Sequence, residues 1–259
     1  MTLVVEGSTE RLVKSSERVR DLGEVFTPNA TVQDMLDLLP ETMWVSHPSP
    51  TFLEPACGDG NFLVAILDRK LDRISEDLAN GMLAAGDGVD AAQFHALEAL
   101  ASIYAVDIST DNIVGGTPGH EIGARSRLLT MFTEWNYEVL GRRLNDRSLV
   151  LRSANWIVEH NLIVGNMLPF DTAWKSTGRD LIPLIEYSWE PRDLSVSLSK
   201  TTLGDVIASE DAKTATMLSL FSPVGPEQLW RGKATNLSDA DHVEAPKLRG
   251  PIRNGAGRH

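Results

Sequence analysis

The 259 residues of this chain leave room for one large α/β domain, or for one domain with a modest appendage. Apolar residues make up 42% and charged residues 23%, the balance of a globular chain, which excludes collagen-like and fully disordered classes. A net charge of −12 argues against direct contact with phosphate backbones, which Lys and Arg hold, and the single cysteine, Cys57, excludes an intramolecular disulfide and any multi-cysteine zinc cluster. No metal is expected on that ground. No membrane contact is expected either, because no apolar run approaches the roughly 18 residues of a membrane span. Met1–Glu10 lacks a basic region followed by an apolar stretch, so the expected location is cytoplasmic.

Taken in chain order, residues 1–22 mix Arg11, Lys14, Arg18 and Arg20 with Glu6, Glu10, Glu17 and Asp21, as a solvated N-terminal arm does. After Pro28, the spacing of Val32, Met35, Leu36 and Leu39 predicts a helix over Thr31–Leu39, closed by Pro40. Thr51–Glu54 is strand-like and runs into Pro55-Ala56-Cys57-Gly58-Asp59-Gly60. Beyond it, Leu63, Ile66, Leu67, Leu71 and Ile74 mark an amphipathic helix packed on a sheet. Asp90 is placed to cap a helix running to about Ser102, and Ile103–Asp107 is a second strand. Leu128, Phe132, Trp135 and Val139 mark a further helix stopping at Gly141, and Asn161–Val164 is a third strand ending at Gly165-Asn166. Leu181–Tyr187, Leu194–Leu198 and Met217–Phe221 are further strand candidates without a clear period. Strands alternating with helices predict a doubly wound, mostly parallel α/β sheet over residues 23–222. Residues 223–259 are rich in Pro and Gly and end in Lys247, Arg249, Arg253 and Arg258, as a flexible basic tail does.

Gly58-Asp59-Gly60 stands where a strand hands over to a helix, the place at which open α/β sheets bind ligands. A dinucleotide fingerprint asks for a third glycine three residues on, and position 63 is Leu. Asp59 within the turn and Glu54 before it oppose a pyrophosphate at this helix N-terminus, whereas a ligand with an adenosine and a positive centre meets no such penalty. Asp107, at the end of the second strand, fits the acidic residue that accepts ribose hydroxyls in this architecture, although its distance from the turn calls for an extra helix pair.

Glu54-Pro55-Ala56-Cys57-Gly58-Asp59-Gly60-Asn61-Phe62-Leu63 resembles the first cofactor motif of the adenine-N6 DNA methyltransferases, and Gly23-Glu24-Val25-Phe26-Thr27-Pro28 resembles the motif that precedes it. Tyr104-Ala105-Val106-Asp107-Ile108 and Ile163-Val164-Gly165-Asn166 stand in for the second- and third-strand motifs. The resemblance implies a Rossmann-like methyltransferase fold, S-adenosylmethionine as cofactor and DNA as partner. It gives cofactor contacts to Phe26, Thr27, Glu54, Ala56, Gly58, Asp59, Gly60, Asn61, Phe62, Asp107, Ile108 and Asn166, with Asp107 on the ribose, Asn166 beside the adenine and Phe26 as an apolar wall.

The family's catalytic tetrapeptide, Asn or Asp followed by Pro-Pro and an aromatic residue, does not occur in this chain. It holds a flipped-out adenine in line with the methyl donor, because the delocalised exocyclic amine is a poor nucleophile. The nearest string is Asn166-Met167-Leu168-Pro169-Phe170. Two readings stay open: Asn166, Pro169 and Phe170 form a remodelled catalytic loop, or this string is the adenine-side motif and the catalytic one is missing, with Asp180–Tyr187 in its place. The chain has no length left for a separate recognition domain, so a partner subunit is expected to supply DNA recognition. An adenine-N6 methyltransferase of a restriction or phage system and a non-catalytic cofactor-binding subunit are the two main functions this leaves, with a small-molecule or protein methyltransferase as a more distant third.

Overall fold

The computed structural model describes residues 27–86, 88–116, 121–167, 183–202 and 227–246. Pro28 leads into α1 (Asn29–Leu36), which buries Val32 and Leu36 one turn apart and ends before Pro40. After a 3-10 turn at Glu41–Trp44 comes β1 (Phe52–Glu54), then the glycine turn and α2 (Asn61–Ala79). Leu63, Ile66, Leu67, Leu71 and Ile74, whose spacing announced this helix, are all buried.

The next helix, α3 (Val89–Ala101), buries every side chain from Ala91 to Ala101. A helix covered on all faces belongs at the centre of a core, and this one packs against α2 on one side and a later helix on the other. Asp90 does not cap it. The preceding residue is Gly88, at φ 122°, and Asp90 lies within the first turn, where its charge favours the positive end of the helix dipole.

Next come β2 (Ile103–Asp107), buried along its whole length, the single turn α4 (Thr110–Ile113) and α5 (Ala124–Glu138). α6 (Leu149–Asn161) leads directly into β3 (Leu162–Val164). This helix was not anticipated, although Val150, Ala154, Ile157 and Val158 lie buried on one face of it. Asn161, expected in the strand, is its last residue. Its amide donates to the Ala101 and Ile103 carbonyls (2.8 and 3.3 Å) and so fixes the start of β2.

The three strands form a parallel sheet in the order β1-β2-β3, with Glu54 opposite Ala105 and Asp107 opposite Val164. Alternation along β2 separates two packing layers. Ile103 and Ala105 join the large core with the helices, while Tyr104 turns to a smaller cluster with Leu184, flanked by Leu53, Met167 and Tyr187. The Tyr104 hydroxyl donates to the Ile185 carbonyl at 2.6 Å.

The C-terminal strands depart from the expected parallel sheet. β4 (Pro183–Glu190), β5 (Ser195–Thr202) and β6 (Gln228–Lys233) form a separate antiparallel sheet. Only four residues join β4 to β5, and a parallel connection needs a dozen or more. Residues 227–246 also depart from the expected tail: after β6 a 3-10 turn (Ala234–Asp239) buries Ala234 and Leu237, and His160 Nε2 sits 2.9 Å from the Val243 carbonyl. Leu229, Trp230, Leu237 and Val243 supply enough apolar surface to dock this stretch. Residues 1–26, Met217–Phe221 and the basic end from Lys247 lie outside the described residues. No helix among the described residues is long and apolar enough to cross a membrane.

Lys70, on α2, is 1% exposed and donates to Ser49 Oγ (2.7 Å) and the Pro50 carbonyl (2.8 Å). Burial pushes its ammonium down to about 7, with the Glu98 carboxylate opposing the shift. Above that value the unfolded chain binds more protons at this position than the folded one, so Lys70 makes stability rise with pH. Relative to Lys70→Met, the wild-type melting temperature is expected to climb between pH about 7 and about 9, as measured by thermal unfolding across buffers.

Candidate ligand site at the carboxyl ends of the parallel strands

Parallel pairing brings the ends of β1, β2 and β3 to one edge of the sheet, and with them the glycine turn, Asp107 and Asn166. Glu54 closes β1 and turns back to accept the Ala56 amide at 3.2 Å. The Cys57 amide donates to the Val106 carbonyl (3.1 Å), and the Gly60 amide to the Cys57 carbonyl (3.0 Å). Gly58 and Gly60 adopt φ of 56° and 93°, in the left-handed region that favours glycine. At Gly60 space adds to the constraint: a Cβ there would lie 3.0 Å from Ala124 Cβ at the start of α5. No side chain caps α2 at this end, and helix geometry leaves its first-turn amides without intrahelical acceptors.

Asp107 organises the edge. One oxygen accepts the Gly58 amide (2.9 Å); the other accepts the Ser109 amide (2.8 Å) and the Asn112 side chain (2.9 Å). Its own carbonyl accepts the Gly165 amide at 2.8 Å, carrying β2 across to the residues after β3. Asp107 is 8% exposed, so the carboxylate lies under the turn. Ile108 follows it, half-buried, and Asn166 lies partly exposed two residues past β3.

Asp59 has a partner that the sequence did not disclose. Arg127, on α5, lies 3.2 Å from its carboxylate and donates to the Asp59 carbonyl (2.9 Å) and to Asn61 Oδ1 (3.0 Å). Arg127 therefore offsets the charge of Asp59, and Glu54 and Asp107 remain as the acids flanking the turn. The Asn61 amide donates to the Thr27 carbonyl at 3.1 Å, joining the two motif segments whose order first suggested a cofactor site. Asn61 thus spends its side chain on organising the turn, and Phe62 is half-buried against the core. Arg127 and Asn112 had no signal in the sequence beyond being polar residues in helical stretches. Phe26, Pro169 and Phe170 lie outside the described residues.

A cavity of about 370 Å³ lies elsewhere, at the amino ends of β1 and β2, where Thr51, Ser102 and Tyr104 meet Tyr187 and Trp189 of β4. The length of β2, about 13 Å, separates it from the glycine turn. His47 and Glu98 also line it, and with His95 they form a cluster that counting cysteines could not reveal. Comparison of the chain with known protein families, with curated proteins and with solved structures finds no match.

Two measurements probe the edge. Gly60→Ala is expected to cost about 1–3 kcal/mol in urea unfolding, from the left-handed backbone and the crowding against Ala124. Burial, together with the Asp107 and Glu54 carboxylates, pushes the Cys57 thiol well above its ordinary range. Iodoacetamide at pH about 8 is therefore expected to alkylate the folded protein at least about tenfold more slowly than the urea-unfolded chain, read by mass spectrometry.

Proposed function

We propose that this protein is an S-adenosylmethionine-dependent DNA methyltransferase acting on adenine N6, a modification component of a restriction or phage system, built on a doubly wound Rossmann-like cofactor domain. The observation that carries the reading is the convergence of the Gly58–Gly60 turn, Asp107 and Asn166 at the carboxyl ends of three adjacent parallel strands. The parallel β1-β2-β3 order supports it, since one half of a doubly wound sheet has the same order.

The donor set suits this cofactor. Carboxylates at Glu54 and Asp107 flank the turn and complement a cationic sulfonium. Arg127 offsets Asp59, and uncapped first-turn amides of α2 offer hydrogen bonds to a carboxylate. Under this reading the Gly58–Gly60 backbone and Thr27 hold the methionine part, Asp107 accepts ribose hydroxyls, and Ile108 and Asn166 flank the adenine. The cofactor supplies an electrophilic methyl group. An Asn166 amide both donates and accepts, which suits either the cofactor's adenine or a target adenine.

A second reading has its own observation: no Asn or Asp-Pro-Pro-aromatic tetrapeptide occurs anywhere in the 259 residues. In that case the chain is a non-catalytic S-adenosylmethionine-binding subunit that relies on a partner for DNA recognition and methyl transfer. The net charge of −12 favours a partner in either case.

Calorimetry with S-adenosylmethionine tests what the two readings share. Binding is expected for the wild type and loss of it for Gly58→Val, whose side chain would stand where backbone must approach the ligand; no detectable binding at about 1 mM cofactor overturns both. Expression in a methylation-free host, with genome sequencing for modified adenine and Asn166→Ala as control, separates them. Modified adenine supports the enzyme, and its absence alongside intact cofactor binding supports the subunit.

A further inference from the structure

We propose that His47, His95 and Glu98 form a binding site for a zinc ion, at the opposite end of β2 from the glycine turn and independent of the cofactor reading. His95 and Glu98 stand three residues apart on one face of α3, and His47 comes from the loop that leads into β1. One donor atom from each of the three lies within 4.8 Å of the others.

Their arrangement is that of ligands around a common centre. Glu98 Oε1 accepts the Ser49 amide at 3.0 Å, which fixes the carboxylate plane as an outer hydrogen bond does for a metal ligand. His47 Nδ1 sits 2.9 Å from both Glu98 oxygens, and Oε2 also lies 3.4 Å from His95 Nδ1. Tetrahedral zinc with ligands at roughly 2.0–2.2 Å places donor atoms about 3.3–3.6 Å apart, so the His95 separation already matches and the His47 ring has to withdraw by only about 0.5 Å.

Burial argues that a ligand is needed here. His95 is fully buried, and neither of its ring nitrogens has a hydrogen-bond partner. The other polar side chain in the middle of α3 shows the contrast: Gln93 donates to Asn136 Oδ1 at 2.8 Å. A buried imidazole with both nitrogens unsatisfied is costly, and so is a carboxylate that is 3% exposed. A hydrogen-bonded triad would satisfy Glu98 through His47 and leave His95 as it stands. A divalent ion gives His95 Nδ1 a partner and balances the buried charge of Glu98.

Three protein ligands leave one position of a tetrahedron open, as in zinc sites that bind water or a small ligand. Here the open side faces the cavity, since His47 and Glu98 line it while His95 lies behind them. Tyr187, Ser188 and Trp189 also line the cavity. The ion would join the His47 loop to α3 at the mouth of a cavity that accepts a small oxygen-donor ligand.

The test uses the full chain, stripped with chelator and titrated with zinc chloride against a chromophoric competitor. One equivalent is expected to bind, with affinity reduced at least about tenfold in His47→Ala and in Glu98→Gln. The His47 side chain is 23% exposed, so its removal leaves the core intact, and circular dichroism verifies the fold of each variant. Cobalt(II) provides a second reading: intense visible absorption of a tetrahedral site in the wild type, lost in His47→Ala. Equal zinc affinity in the wild type and the folded variants, or no stoichiometric binding to the folded wild type, overturns the site.

Discussion

The carboxylate of Asp107 is the junction on which the parallel-sheet part of the molecule depends. Through three donors it joins the end of β2 to the glycine turn after β1 and to the α4 turn, while its own carbonyl receives Gly165 beyond β3. A charged acceptor for backbone amides is stronger than a neutral one, and burial strengthens it further. Parallel strands meet their neighbours only through long crossovers, so their ends have no hairpin to hold them together. Asp107 provides that hold. The residue that gives the turn its shape is thus the one to which the proposed cofactor reading assigns the ribose.

Around this junction the turn is clamped from outside. Arg127 and Asn61 link α5, the turn and Thr27, and Gly60 lets α5 approach to a distance at which a Cβ would crowd Ala124. These contacts pre-form the turn, which lowers the ordering cost of binding. The opposite end of the sheet is built differently. There α3, buried on every face, carries His95 and Glu98 into the core, and the antiparallel sheet closes over Tyr104 to leave a cavity. One sheet thus has a backbone-rich edge at its carboxyl end and a side-chain cluster at its amino end.

Much of the fold was legible where one local pattern decided it. The spacing from Leu63 to Ile74 and the apolar run Ile103–Val106 specify a helix and a strand, because each must bury a face of fixed period. α6 is harder to read although its apolar residues recur at helical spacing, because its end runs without a break into the apolar β3. Residues 227–246 were misread because Pro and Gly content suggested a tail, while Trp230 and Leu237 found a surface to dock on. The antiparallel pairing of β4 with β5 follows from a four-residue link, but only once both strands are known to exist.

The candidate site divides along the same line. By itself the sequence determined the glycine turn, the acid at the end of β2 and the order of the motifs, because each rests on neighbouring residues and the conformations they permit. Tertiary structure alone decided that Arg127 neutralises Asp59, that Asp107 lies under the turn, and that His47 meets His95 and Glu98. Those contacts join positions 48 to 68 residues apart, and no local periodicity encodes a distance of that kind. They exist because parallel crossovers bring separate strand ends and helices together, and the packing of a shared core fixes which side chains meet.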